Sequence, residues 1–140
     1  MSKPFIQPYL FFGGRCEEAI AFYRDAIGAV PEMSTRYDQS PESSGGRLPA
    51  GFEKKIMHAQ FKVGDSLIMC SDGCAHGQAH DGYSLAIAFP TEAEVDRAFA
   101  KLSAGGSVVM PLAKTFWSPK FGMCKDQFGV TWFVSIAEQR

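Results

Sequence analysis

Thr115-Phe116-Trp117-Ser118-Pro119, Phe121-Gly122-Met123 and Asp126-Gln127-Phe128-Gly129-Val130-Thr131-Trp132-Phe133 form one run near the end of the chain, and both tryptophans of the protein lie in it. Asp126 to Gly129 has the polar, glycine-ended composition of a hairpin turn. The residues beyond it, through Val134, are β-branched and aromatic, as a buried strand requires. A hairpin therefore closes the chain. Phe116 and Trp117 stand beside Pro119 in a segment too irregular for an amphipathic strand. Rings of that size fill cores and interfaces or line the wall of an apolar ligand cleft, and the residues leave both open.

Residues 107–113 and 121–125 are strand-like and lead into this hairpin. A helix precedes them. Thr91-Glu92-Ala93-Glu94 is a capping box, Val95, Ala98, Phe99 and Leu102 make an apolar stripe, and Gly105-Gly106 ends the helix. Residues 83–89 supply the strand before it. The order strand, helix, three strands also describes the first half. Residues 5–12 read as a strand with Pro8 at an edge or bulge. In residues 16–27, Cys16, Ala19, Ile20, Tyr23 and Ile27 share a helical face, Glu17 and Glu18 suit the positive N-terminus, and Gly28 is the stop. Residues 30–37, 56–63 and 66–71 follow as strands. Met57, Ala59, Phe61 and Val63 fall on one face of the middle strand and His58, Gln60 and Lys62 on the other. Residues 38–53, rich in Ser, Gly and Pro, form a loop long enough to act as a lid.

Local matches support a duplication: residues 9–28 parallel 83–105, and Val63-Gly64-Asp65-Ser66-Leu67 parallels Phe128-Gly129-Val130-Thr131-Trp132. The expected fold is α+β, two βαβββ modules of about 5–72 and 83–137 joined by a connector at 73–82, within one domain spanning 1–140. One helix would cover the outer face of each mostly antiparallel sheet, leaving the inner faces to curve round a shared cup.

At 140 residues the chain can bury a core without staples. A net charge of −1, with no Lys/Arg cluster, argues against binding to nucleic acid or an anionic membrane. Strand-like sequence begins almost at Met1, with no leader and no run long enough to span a membrane, so a cytoplasmic location is expected. Cys16, Cys70, Cys74 and Cys124 are then expected as reduced thiols.

Together with this repeat, Pro8-Tyr9-Leu10-Phe11, Ala19-Ile20-Ala21-Phe22-Tyr23, Met57-His58-Ala59, Gly64-Asp65, Ser71-Asp72 and the aromatic run from Thr115 to Trp132 resemble the vicinal-oxygen-chelate superfamily, in its PhnB-like, glyoxalase-related branch. The resemblance covers residues 5–136. It implies a paired βαβββ fold, commonly a homodimer, whose cup binds a small molecule. In metal-using members a divalent ion held by His, Glu or Gln chelates vicinal oxygens of the substrate. The ligand positions implied here, on the first, fourth, fifth and eighth strands, are Gln7, Ile68 or Met69, Ser84 and Phe133. Only Gln7 would ligate well, so the standard divalent metal site is expected to be absent and the cofactor is unassigned. Some PhnB-like chains are labelled demethylubiquinone methyltransferases. Here Gly13-Gly14 is a two-glycine bend, not the glycine-rich turn that a nucleotide-like cofactor needs.

The candidate catalytic residues are His58 and Asp72. His58 lies on the polar face of its strand beside Gln60, the face that the resemblance turns into the cup. A neutral imidazole there serves as general base or ligand contact, or is a hydrogen-bonded structural group. Asp72 orients His58, receives a substrate hydroxyl, or caps a turn. Tyr9, Phe11, Trp117 and Phe133 would make the cup aromatic, with Gln7, Gln60 and Ser84 as polar contacts and Lys114 as an anion contact. Cys70, Cys74, His76 and His80 have donors enough for zinc but match no strong spacing, and a flexible loop is the alternative. Three readings follow. The first is a small-molecule-binding protein, with or without enzymatic activity, working without the standard metal. The second is a metal-dependent lyase, isomerase or dioxygenase using Gln7, His58 and Asp72. The third is a dimeric scaffold with no ligand.

Overall fold

In a computed structural model describing residues 3–39, 50–73 and 79–137, the first half runs β1 (Tyr9–Phe11), α1 (Cys16–Ile27), β2 (Val30–Arg36), β3 (Ile56–Val63) and β4 (Ser66–Ser71). The second runs β5 (Leu85–Phe89), α2 (Glu92–Ser103), β6 (Ser107–Ala113), β7 (Phe121–Lys125) and β8 (Thr131–Ile136). Strand order is β1-β4-β3-β2 in one sheet and β5-β8-β7-β6 in the other. In each sheet the first strand pairs parallel with the last and the other two pairings are antiparallel. The chain divides into two units, Met1–Gln78 and Ala79–Arg140.

In the first unit, α1 sets Cys16, Ala19, Tyr23, Ala26 and Ile27 inward, where Leu10, Ala59, Phe61, Ile68 and Cys70 of the sheet are also buried. The Tyr23 ring sits 5.9 Å from Phe61 and 6.1 Å from Phe12. Gly28 ends the helix at φ 71°, a left-handed conformation that a side chain disfavours. No side chain of α1's own flank caps its N-terminus. Asp72 does so from the far end of β4, as described below.

In the second unit, Val95, Ala98, Phe99 and Leu102 of α2 are buried, as are Gly122, Cys124, Trp132 and Val134 of β7 and β8. Thr91 caps the helix, its hydroxyl accepting from Glu94 N–H at 3.2 Å and donating to the Glu94 carboxylate at 2.8 Å. The closing hairpin is tied by Asp126. One carboxylate oxygen accepts from Phe128 N–H (2.9 Å) and Val130 N–H (3.1 Å), and the other from Trp132 Nε1–H (2.9 Å).

Burial, with the Asp126 carboxylate adding, pushes the Cys124 thiol up to about 11. Its folded value lies above the unfolded 9.0, so the native state holds the proton more tightly. The associated stability is complete below pH 9.0 and is lost as pH rises through about 11. Urea titrations at pH 8, 10 and 11 should show the wild type weakening by on the order of 2 kcal/mol more than Cys124→Ala does. Parallel pH profiles for the two proteins would refute this.

The sequence expectations differ from the structure in detail. The expected 5–12 strand is shortened to three residues, because Pro8 has no N–H to donate and contributes only its carbonyl, which accepts from Met69 N–H at 3.0 Å. Phe5 and Ile6 are exposed. Tyr37 leaves β2 for a 3-10 turn, and its hydroxyl donates to the Gly73 carbonyl. β5 starts at Leu85, while the Tyr83 hydroxyl pairs with His80 Nδ1 at 2.6 Å. A register break between Thr35 and Arg36 brings Ile56 into the core in place of Met57. The expected lid falls mostly on 40–49, outside the described residues; Tyr37 and Phe52, near its ends, are buried.

Candidate functional site

Alternation along three strands builds the candidate site on the face of the first sheet that α1 does not cover. Leu10 is buried, so Tyr9 and Phe11 point the other way; Ala59 and Phe61 are buried, so His58 and Gln60 do; Ile68 and Cys70 are buried, so Met69 does. The register aligns Tyr9 with Met69 and Met69 with Gln60. Gln7, half-buried, continues the alternation ahead of Pro8.

Tyr9 Oη lies 3.1 Å from His58 Nδ1, and His58 Nε2 lies 3.4 Å from Gln60 Oε1. With the Gln60 amide so placed, its carbonyl oxygen only accepts, so Nε2 carries a proton; in the neutral tautomer this leaves Nδ1 to accept from the Tyr9 hydroxyl. The Tyr9 ring sits 5.6 Å from the imidazole and 5.2 Å from the Phe11 ring. Gly73 makes room for Phe11: a Cβ there would lie 3.2 Å from Phe11 Cδ1, at a backbone φ of +67°. The result is an imidazole, half-buried, wedged between a phenol and a carboxamide and flanked by an aromatic pair. Sequence reasoning singled out these residues but missed their contact. β4 separates β1 from β3, so the backbones of Tyr9 and His58 stand roughly 10 Å apart and the long phenol reaches across Met69.

Asp72 is placed differently from the expectation that it orients His58. Its side chain is 1% exposed, and both oxygens serve the backbone: Oδ1 accepts from Gly14 N–H and Cys16 N–H, each at 2.8 Å, and Oδ2 from Ile56 N–H at 2.8 Å. The turn-capping alternative describes this geometry. A carboxylate on the first-turn amides of α1 also meets the positive end of the helix dipole. The ligand set Gln7, His58 and Asp72 thereby loses its carboxylate to the fold.

In the second unit Phe133 and Phe121 share a face of the sheet with ring centroids 5.4 Å apart, and the edge-to-face contacts continue to Trp117 at 5.4 Å and Phe116 at 4.8 Å. Trp117 is 54% and Phe116 97% exposed. A clasp that the sequence did not reveal holds their loop: Ser118 N–H donates to Thr115 Oγ1 at 3.0 Å, and Thr115 N–H to the Ser118 carbonyl at 2.8 Å. Ser84 and Lys114 are exposed. Lys120 is drawn into an ion pair with Asp96 at 2.6 Å, with Glu92 at 3.5 Å.

Of the possible zinc donors, Cys74 and His76 lie outside the described residues. Cys70 is buried and accepts an S–H contact from Cys16 at 3.5 Å; that bond, with burial and the Asp72 charge, holds the Cys16 thiol far above its usual range. Among the described residues no group of three His, Cys, Asp or Glu side chains is placed to hold a metal.

The sequence matches the family model for 3-demethylubiquinone-9 3-methyltransferase over residues 4–135. The chain belongs to this family, the PhnB-like branch of the vicinal-oxygen-chelate superfamily. This PhnB-like chain is 33% identical to Protein YjdN of Escherichia coli strain K12, covering 96% of this chain and 97% of that one. A crystal structure of protein PA1353 from Pseudomonas aeruginosa superposes with a TM-score of 0.84 at 38% identity, covering 98% of this chain and all of the other. A putative 3-demethylubiquinone-9 3-methyltransferase, PhnB protein, from Bacillus cereus gives 0.76 at 31%, with 96% and 100% covered.

The superfamily's metal can be tested against the PhnB-like chain's own donors. Alternation decides between Ile68 and Met69: Ile68 is 6% exposed in the core, and Met69 lies on the open face. The set is then Gln7, Met69, Ser84 and Phe133, which is an amide, a thioether, an alcohol and a phenyl ring. These residues do not fit a divalent ion that wants several nitrogen or oxygen donors. No helix among the described residues is long and apolar enough to cross a membrane.

Proposed function

We propose that the open face of the first sheet binds a small molecule through Tyr9, His58 and Gln60, without the superfamily's divalent ion. The observation that carries this reading is the hydrogen-bonded chain from the Tyr9 phenol through the His58 imidazole to the Gln60 amide. Each member can exchange its internal partner for a ligand hydroxyl or carbonyl at little cost. A ligand acid that displaces the Tyr9 hydroxyl meets the basic Nδ1 directly, which is the geometry of a general base. Phe11 and Met69 supply apolar area for a ring, and Gln7 a further amide. Trp117 and Phe133 offer stacking surface, with Ser84 a hydroxyl and Lys114 a cation for the same class of ligand. Asp72 belongs to the scaffold.

The methyl transfer in the family's name is not part of this reading. The β1–α1 turn, where a glycine-rich segment would offer amides to a nucleotide-like cofactor, has its Gly14 and Cys16 N–H groups bonded to Asp72. Homodimerisation is included in the proposal; light scattering should give twice the mass of one chain.

The test is a thermal-shift screen of planar hydroxy- and carbonyl-bearing compounds, followed by calorimetric titration of the hits. His58→Ala should bind a hit at least tenfold more weakly, with a melting temperature within a few degrees of the wild type. A chelator should change nothing. Unaltered affinity in His58→Ala removes the imidazole from the site, and loss of binding on chelation revives the metal.

A further inference from the structure

A groove of about 410 Å³ lies between the outer side of α1 and the edge strand β2, within the first unit and apart from the face just described. Its helix wall is Glu17, Ile20, Ala21 and Arg24, the three-and-four spacing of one helical face. Met33 stands on the strand side, and Ile56, 1% exposed, lines it from the core. The periodicity of α1 assigns Ile20 to the core stripe. The structure buries Ala26 instead and leaves Ile20 half-buried on this groove.

The charges around it are unequally satisfied. Glu17 is held by both guanidinium nitrogens of Arg36, at 2.9 and 2.6 Å, and this pairing holds its carboxyl below the usual range. Glu32 stands 3.8 Å from Lys62. Arg24 is exposed and has no hydrogen bond or ion pair among the described residues. Among the three charged side chains of the lining, Glu17, Arg24 and Glu32, the Arg24 guanidinium is therefore the one without an ion-pair partner among the described residues. Its backbone lies two helical turns, roughly 10 Å, from that of Glu17, and both lining carboxylates already face cations, Glu17 at Arg36 and Glu32 at Lys62, which reduces their repulsion of an anion.

We propose that this groove binds an amphipathic monocarboxylate, its carboxylate on Arg24 and its hydrocarbon or aryl body along Ile20, Ala21 and Met33. A volume of 410 Å³ is in the size range of small-molecule sites. Strand addition by a peptide suits β2 poorly. Pro31 has no N–H to offer, and the register breaks between Pro31 and Met33 and between Thr35 and Arg36 twist the edge.

The probe is sodium hexanoate, titrated at neutral pH into the isotope-labelled full chain and followed by amide NMR, with hexan-1-ol as the uncharged control. Hexanoate should shift signals of residues 17–24 and 31–34 selectively, with a Kd of roughly 10 mM for so small a ligand. Arg24→Gln should weaken hexanoate about three- to fivefold, the scale of an exposed ion pair, and leave hexanol unchanged. Ala21→Leu, which fills the groove from an exposed helical position, should weaken both. Absent or scattered shifts, or an Arg24→Gln titration identical to the wild type, overturn the proposal. So does an uncharged extended peptide that moves these signals where hexanoate does not, which would assign the groove to strand addition.

Discussion

Asp72→Ala should lose about 4 kcal/mol of stability in urea unfolding, a large part of the 5–15 kcal/mol typical of a domain. The substitution strands three N–H donors at once. Those of Cys16 and Ile56 belong to residues at most 1% exposed, where no water replaces the carboxylate. Asp72→Asn should fall between the wild type and Asp72→Ala, because one carbonyl oxygen can still serve Gly14 and Cys16 while its NH2 meets Ile56 N–H donor to donor. The same pair of variants separates scaffold from chemistry. If Asp72 oriented the imidazole, Asp72→Asn would move the His58 titration seen by NMR while leaving stability near the wild type.

Gly106→Ala, a change of one methyl group, should cost more than 3 kcal/mol. A Cβ on Gly106 would stand 2.0 Å from the Lys125 carbonyl oxygen and 2.8 Å from the Asp126 carbonyl carbon. Both obstacles are backbone, so no rotamer change relieves them. The turn between α2 and β6 would have to back away from the end of β7, beside the Asp126 tie. The neighbouring Gly105 is the control. It has φ +80°, but its Cβ would meet nothing nearer than 3.4 Å, so Gly105→Ala should cost only about 1 kcal/mol of backbone strain. Urea midpoints for the two variants that coincide would show that the turn yields easily.

The local elements were legible because their signals are local. The α1 boundaries follow from an apolar stripe and a terminal glycine, α2 from its capping box, and the last hairpin from Asp126 to Gly129 followed by β-branched and aromatic residues. The repeat was legible as well, since both halves carry the same order of patterns. The placement of one strand beside another was not. Nothing in residues 5–12 says that they pair with 66–71, so neither the Tyr9–His58 contact nor the partners of Asp72 could be foreseen. Ile20 shows a finer limit. A three-and-four stripe is wider than the strip that the sheet covers, and packing decides which of its margins, Ile20 or Ala26, goes inside.

The two buried aspartates differ in reach. The three carboxylate hydrogen bonds of Asp126 described above reach at most six residues along the chain, whereas Asp72 holds groups 16, 56 and 58 positions earlier. During synthesis, then, the closing hairpin of the second half can knot itself as soon as it leaves the ribosome. The first cannot. The leading turn of α1 must wait, with its amides in water, until residue 72 is made, some 3 to 11 s later at roughly 5–20 residues per second. In that interval the nascent chain offers its unfinished N-terminal half to chaperones and proteases.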